Sequence, residues 1–224
     1  MLTSSRRSIL KGGAILAAAG GWAANAMAHA VSEVGSAVMR HDNFRGWVEF
    51  SEAALRHNAS QIVRATGVPL CACVKHHGYG LGEANVGRAI DAVEGLWGYM
   101  VARPDEAWRL VEAQVKKPIL LLGPADERTS IAIAKAGVVL GLSGKDDLAT
   151  VKAVANGVGR PIEAHLEVDT GIHRQGISYD RAVERGIELH KSGAVNFSGL
   201  SSYFASAPRE AAPEPWPYEL EQIK

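Results

Sequence analysis

At 224 residues, 47% apolar and 21% charged, the chain can build one large domain or two small ones and is too apolar for a disordered tail. Lys and Arg (24) balance Asp and Glu (24), so no global field points to nucleic acid or an anionic membrane surface as a partner.

In chain order, Arg6 and Arg7 precede Ile9-Leu10-Lys11, and a weakly apolar, Ala/Gly-rich stretch runs from Gly12 to Ala24. Two A-x-A patterns follow, Ala26-Met27-Ala28 and Ala28-His29-Ala30. This layout reads as an export signal of the twin-arginine class over residues 1–30, with a periplasmic mature protein as the expectation. The apolar stretch is too short and Gly-rich for a stable membrane span. Cleavage after Ala30 removes Arg6, Arg7 and Lys11 and no acid, leaving 21 basic against 24 acidic residues, a net of −3.

Residues 31–45 read as a linker. Trp47-Val48-Glu49-Phe50 then reads as a short strand, and Ser51 as the N-cap of a helix running through Leu55 and Ile62. Strands follow at Leu70–Val74, Trp97–Val101, Pro118–Leu122, Val138–Leu142, Ile162–Val168 and Val195–Ser202. Helices are expected between them at Glu83–Val93, Arg103–Gln114, Asp126–Ala136, Lys145–Asn156 and Tyr179–Lys191, with Pro104 in a first turn. Alternating strands and helices with short connections specify an α/β fold with a parallel sheet and right-handed crossovers. A (β/α)8 TIM-barrel type needs eight such units, and about six are legible. The run from Pro213 to Lys224 reads as the start of another helix, so the barrel is expected to be incomplete and the chain truncated. An open six-stranded sheet is the alternative.

One residue concentrates the chemistry. Lys75 ends the apolar run Leu70-Cys71-Ala72-Cys73-Val74 and precedes His76-His77-Gly78-Tyr79-Gly80-Leu81-Gly82. An ammonium at the carboxyl end of a parallel strand lies where such folds build their sites. Partly desolvated there, a lysine can lose its proton near neutral pH and form an imine with a carbonyl cofactor. Cys71 and Cys73 read as core residues, because side chains two apart on a strand seldom meet disulfide geometry and C-x-C alone is a poor zinc signal. No metal site is expected; adjacent His76 and His77 read as exposed turn residues.

Six blocks in order, WVEFSEAALRHNASQI (47–62), CVKHHGYGLG (73–82), WGYMVARPDEAWRL (97–110), PILLLG (118–123), HLEVDTGIHRQGI (165–177) and GLSSYFASA (199–207), resemble the N-terminal barrel of alanine racemases over residues 46–224. The resemblance implies a pyridoxal-phosphate (PLP) enzyme of the fold-type III class that interconverts L- and D-amino acids, alanine or a broader set, as a homodimer. It implies that Lys75 holds PLP and is one of two bases at the substrate α-carbon. Tyr79 would bond the cofactor phosphate, aided by free backbone N–H groups at a helix start. Arg174 would contact the PLP phenolic oxygen and position the substrate carboxylate, a task suited to a bidentate guanidinium. Tyr203 stands beside the ring where the family usually has a histidine. Glu167 stands where many members carry a lysine and would orient Arg174 directly. Asp169, Thr170 and Gly171 would shape a turn. The family continues into further strands and a C-terminal β-domain that supply the opposite-face tyrosine and a pyridine partner, neither of which has a counterpart in these blocks. A remnant or PLP-binding protein without turnover is therefore the alternative function.

Overall fold

The computed structural model describes residues 48–143 and 146–204. The expected export signal, the linker and the helix start at 213–224 lie outside the described residues.

Helix α1 (Glu52–Thr66) begins where expected: the Ser51 hydroxyl accepts the Ala54 N–H at 3.2 Å, and Gly67 closes the helix with φ +68°. The expected strand ahead of it is corrected, because Val48–Phe50 adopt no strand. An extended segment needs a neighbouring edge to satisfy its N–H and C=O groups, and no described strand pairs with it.

The next elements are β1 (Leu70–Cys73), a left-handed turn over Lys75–Tyr79, α2 (Glu83–Ile90), β2 (Leu96–Val101), α3 (Pro104–Glu112) and β3 (Ile119–Leu121). Then come α4 (Glu127–Lys135), β4 (Val139–Leu142), α5 (Leu148–Val158), β5 (Ile162–Asp169), β6 (Ile177–Ser178), α6 (Tyr179–Lys191) and β7 (Val195–Ser202). All six strands expected from Leu70 onward form, and all pair in parallel in the order β1-β2-β3-β4-β5-β7. The architecture is a partial (β/α)8 barrel. Helix α5 starts later than expected because the Asp147 carboxylate caps it, accepting the Thr150 N–H at 2.7 Å. Strand β6 was not legible in the sequence. It pairs with Val168 and Asp169 on the side of β5 that β4 leaves free after Leu142.

Strand alternation sorts the side chains into two layers. Ile162, Ala164 and Leu166 of β5 are buried beneath the helices, Leu166 lying against Gly186 of α6. His165 and Glu167 point the other way, into the concave face. In the helix-side core, fully buried Tyr99 donates its hydroxyl to the Gly87 carbonyl at 2.8 Å and lies 2.9 Å from the Asp91 carboxylate. The phenol thus keeps its polar tip satisfied while its ring joins β2 to α2. Among the described residues no helix is long and apolar enough to cross a membrane.

Candidate active site at the carboxyl ends of the strands

Because the strands are parallel, their carboxyl ends meet on one rim. Lys75 leaves β1 there, Tyr203 leaves β7, and Arg174 sits in the loop between β5 and β6. Three of the four residues expected from sequence are drawn together electrostatically or by contact. The Arg174 guanidinium carbon lies 4.8 Å from the centre of the Tyr203 ring, a cation–π distance. Tyr203 in turn is near enough to Tyr79 to influence its ionisation. The fourth, Lys75, is partly buried, and its amine makes no hydrogen bond or ion pair with another described residue.

The glycine-rich segment after Lys75 forms the turn expected ahead of a helix, and Tyr79 lies within that turn, not at the helix start. His76, His77, Gly78 and Tyr79 have φ of 51°, 54°, 59° and 54°, a left-handed turn in which three residues carry a Cβ. Each such residue costs about 1–2 kcal/mol, so the turn must be imposed by its surroundings. The N–H groups of Gly78, Gly80, Leu81 and Gly82 donate to carbonyls of Val74, His76, His77 and Gly78. They are therefore not free for an anion beside Tyr79, which corrects that expectation. The phenol itself remains available: partial desolvation first, then its hydrogen bond with Cys73 at 3.6 Å, push its pKa up to about 12. At neutral pH Tyr79 is a protonated donor. His76 and His77 are exposed, as expected.

Two cysteines expected in the core belong elsewhere. Cys71 and Cys73 are free and half-buried on the concave face, opposite Ala72, which packs on the helix-side core. Burial, reinforced by Cys73, raises the Cys71 thiol to about 11, so it is not a ready nucleophile.

Glu167 also departs from expectation. Its carboxylate, 7% exposed, accepts the Gln175 side-chain N–H at 2.9 and 3.0 Å, and the same amide nitrogen reaches the Leu122 carbonyl at 3.2 Å. Gln175, not Arg174, fills the hydrogen-bonding place, leaving Arg174 free to stack on Tyr203. Burial raises the Glu167 pKa, with Gln175 and the charge of Arg174 opposing. Asp169 does shape the turn, its Oδ1 accepting the N–H groups of Gly171 at 2.9 Å and His173 at 3.1 Å. Sequence reading missed Gln175 and Glu106. For Glu106 a signal existed, a Glu at the third position of a helix opened by Pro104.

Deeper in the concave face, His165 packs against Trp97 with ring centres 5.4 Å apart and against Gly199, where a Cβ would stand 2.7 Å from the imidazole. Neither its ring nitrogens nor the buried Ser201 hydroxyl has a hydrogen-bond partner among the described residues. Desolvation lowers the His165 pKa, so the folded chain keeps it neutral while the unfolded chain protonates it below about pH 6.5. The stability it contributes is complete above that value and is lost as pH falls below it. The urea midpoint of the chain should drop between about pH 7.5 and about pH 5.5, and His165→Phe should flatten that drop. An equal drop in the variant would show that other groups carry it.

The donor set has a definite chemistry. An amine without a partner can capture an aldehyde, a protonated phenol can bond a phosphate, and a stacked guanidinium can take a carboxylate or phenolate. These residues fit pyridoxal phosphate.

The chain matches the family model described as "Alanine racemase, N-terminal domain" over residues 50–224. It is 36% identical over 163 residues to an alanine racemase of Deinococcus radiodurans, covering 73% of this chain and 44% of that protein. It is 35% identical over 168 residues to an alanine racemase of Desulforamulus reducens, covering 72% and 44%. The chain thus spans under half the length of these curated relatives. Among solved structures, the alanine racemase of D-cycloserine-producing Streptomyces lavendulae superimposes with a TM-score of 0.66 at 27% identity, covering 77% of this chain and 45% of that one. The Oenococcus oeni alanine racemase gives 0.65 at 26% identity, covering 78% and 49%. Family model, relatives and fold agree: the chain belongs to the alanine racemase N-terminal domain family.

Proposed function

We propose that this chain is the cofactor-binding barrel portion of a pyridoxal-phosphate-dependent amino-acid racemase, acting on alanine or a broader set of amino acids and homodimeric in its complete form. The reading rests on the placement, on one rim, of Lys75, whose amine has no partner among the described residues, the Tyr79 phenol and the Arg174 guanidinium stacked on Tyr203. Bound there, PLP supplies an electron sink that stabilises negative charge on an amino acid's α-carbon. Lys75 would hold the cofactor through its aldehyde, and its amine would take or return the α-proton on one face. Tyr79 would donate a hydrogen bond to a phosphate oxygen. Arg174 holds the substrate carboxylate or the cofactor's phenolic oxygen, its plane supported by the Tyr203 ring. Racemisation needs a second base on the opposite face, and no residue of this chain is assigned to it.

The test uses the purified chain with PLP. The reading expects the visible absorption of a lysine-bound aldehyde, fixed by borohydride onto Lys75, and deuterium entering the α-position of alanine from heavy water. Absence of the band refutes it. Exchange from a single enantiomer would instead mark a protein that binds cofactor and moves one proton without completing turnover.

We also propose export by the twin-arginine route to the periplasm, on the sequence of residues 1–30. Changing Arg6 and Arg7 together to Lys should leave the chain in the cytoplasmic fraction with its N-terminus intact. Unchanged export and cleavage would exclude this route.

A further inference from the structure

We infer that Glu106 is the positioning residue of the site: its carboxylate ties down the left-handed turn whose two ends are Lys75 and Tyr79. The inference rests on reading Lys75 as the cofactor anchor, and it assigns to Glu106 the task of fixing that anchor relative to Tyr79.

Glu106 is 2% exposed and stands third in α3. Its two oxygens divide their work. Oε2 accepts the N–H groups of Ala102 at 2.9 Å and Arg103 at 3.1 Å, which is what the start of a helix requires. Oε1 contributes nothing to that cap. It reaches back thirty residues in sequence to accept the His76 N–H at 2.8 Å. His76 is the first left-handed residue after Lys75, so the bond falls where the backbone leaves its favoured conformation.

Outside the turn, the Tyr79 hydroxyl also meets Cys73 Sγ at 3.6 Å. His76 and His77 are exposed, and His77 Nδ1 lies 3.6 Å from Glu83 Oε2, beyond hydrogen-bond distance. Gly78 rests against α2, where a Cβ would meet the Glu83 backbone nitrogen and Val86 at 3.1 Å, so packing closes the turn on that side. From the other side the carboxylate grips it. Burial works against ionisation of Glu106, yet three N–H bonds outweigh burial and keep the carboxyl below its ordinary value. The grip is therefore a charged one across the neutral range.

Glu106→Gln tests the assignment. A glutamine has one acceptor oxygen and cannot serve both the helix end and His76, while its NH2 faces an N–H. Ala107→Gly is the control, because it weakens the same helix and leaves the carboxylate in place. In the cofactor-free chain, Glu106→Gln should speed hydrogen exchange in the peptide containing residues 74–82, and Ala107→Gly should not. With PLP added, borohydride-trapped adduct at Lys75 should form about tenfold more weakly or more in Glu106→Gln, the scale of one charge-assisted hydrogen bond. Ala107→Gly, compared at matched distance below its melting temperature, should trap as the unmutated chain does. Unchanged exchange, an unchanged adduct, or an equal loss in the control overturns the inference. An unmutated chain that forms no adduct while exchange responds as expected would refute the anchor reading and leave the backbone clamp standing.

Discussion

Replacing Lys75 with alanine should abolish covalent capture of pyridoxal phosphate and lower α-proton exchange of alanine by about 10²–10⁴-fold, the usual scale for removing a positioned base. On the proposed role two losses coincide in that residue, the nucleophile for the aldehyde and the amine that moves the proton. Lys75→Arg separates charge from chemistry, since a guanidinium keeps the positive charge but is protonated at any usable pH. It should be as inactive in capture as alanine. Neither change should cost much stability, because the Lys75 amine makes no hydrogen bond or ion pair with a described residue. Borohydride reduction followed by peptide mass mapping reads capture, and deuterium incorporation reads exchange. A reduced adduct of undiminished yield on another lysine in Lys75→Ala would exclude the assignment.

The second large effect is on stability. Arg109→Leu should destabilise the chain by about 3 kcal/mol, because it strips the cation from a buried carboxylate. Glu83, the first residue of α2, has a side chain only 2% exposed, and its Oε1 meets Arg109 Nη1 at 2.6 Å. Arg109 is 36% exposed and also holds Asp105 at 2.8 Å, so it can solvate itself when the pair is broken, whereas Glu83 cannot. The asymmetry predicts that the cost lies on the acid. Melting should fall by roughly 6–12 °C. Glu83→Gln combined with Arg109→Leu should recover most of the loss, since the stranded charge is gone. A double variant as unstable as the single would place the cost in lost packing of the arginine stem instead.

Both residues were within reach of the sequence to different degrees. Lys75 was legible because strand, lysine and glycine-rich segment are contiguous, and local order suffices to place an amine at a strand end. Arg109 and Glu83 are 26 residues apart, and nothing in either neighbourhood announces the other. The same holds for Gln175, whose amide replaces the expected Arg174 contact at Glu167. It also holds for the cysteines, whose face of the sheet depends on which side the helices cover.

Periodicity and turn residues determined the alternation of strands and helices and the parallel sheet, since these follow from local propensity and short connections. Ordered motifs determined the family and named Lys75, Tyr79, Arg174 and Tyr203. The tertiary structure alone decided how those residues are held. It gave the turn after Lys75 a left-handed form, bonded Glu106 to it, seated Arg174 on Tyr203, and left His165 without a hydrogen-bond partner among the described residues. The physical reason is common to all four. Each outcome is a competition among groups far apart in sequence for a limited set of donors, acceptors and buried space, and only the closed packing of the sheet and its helices brings the competitors together.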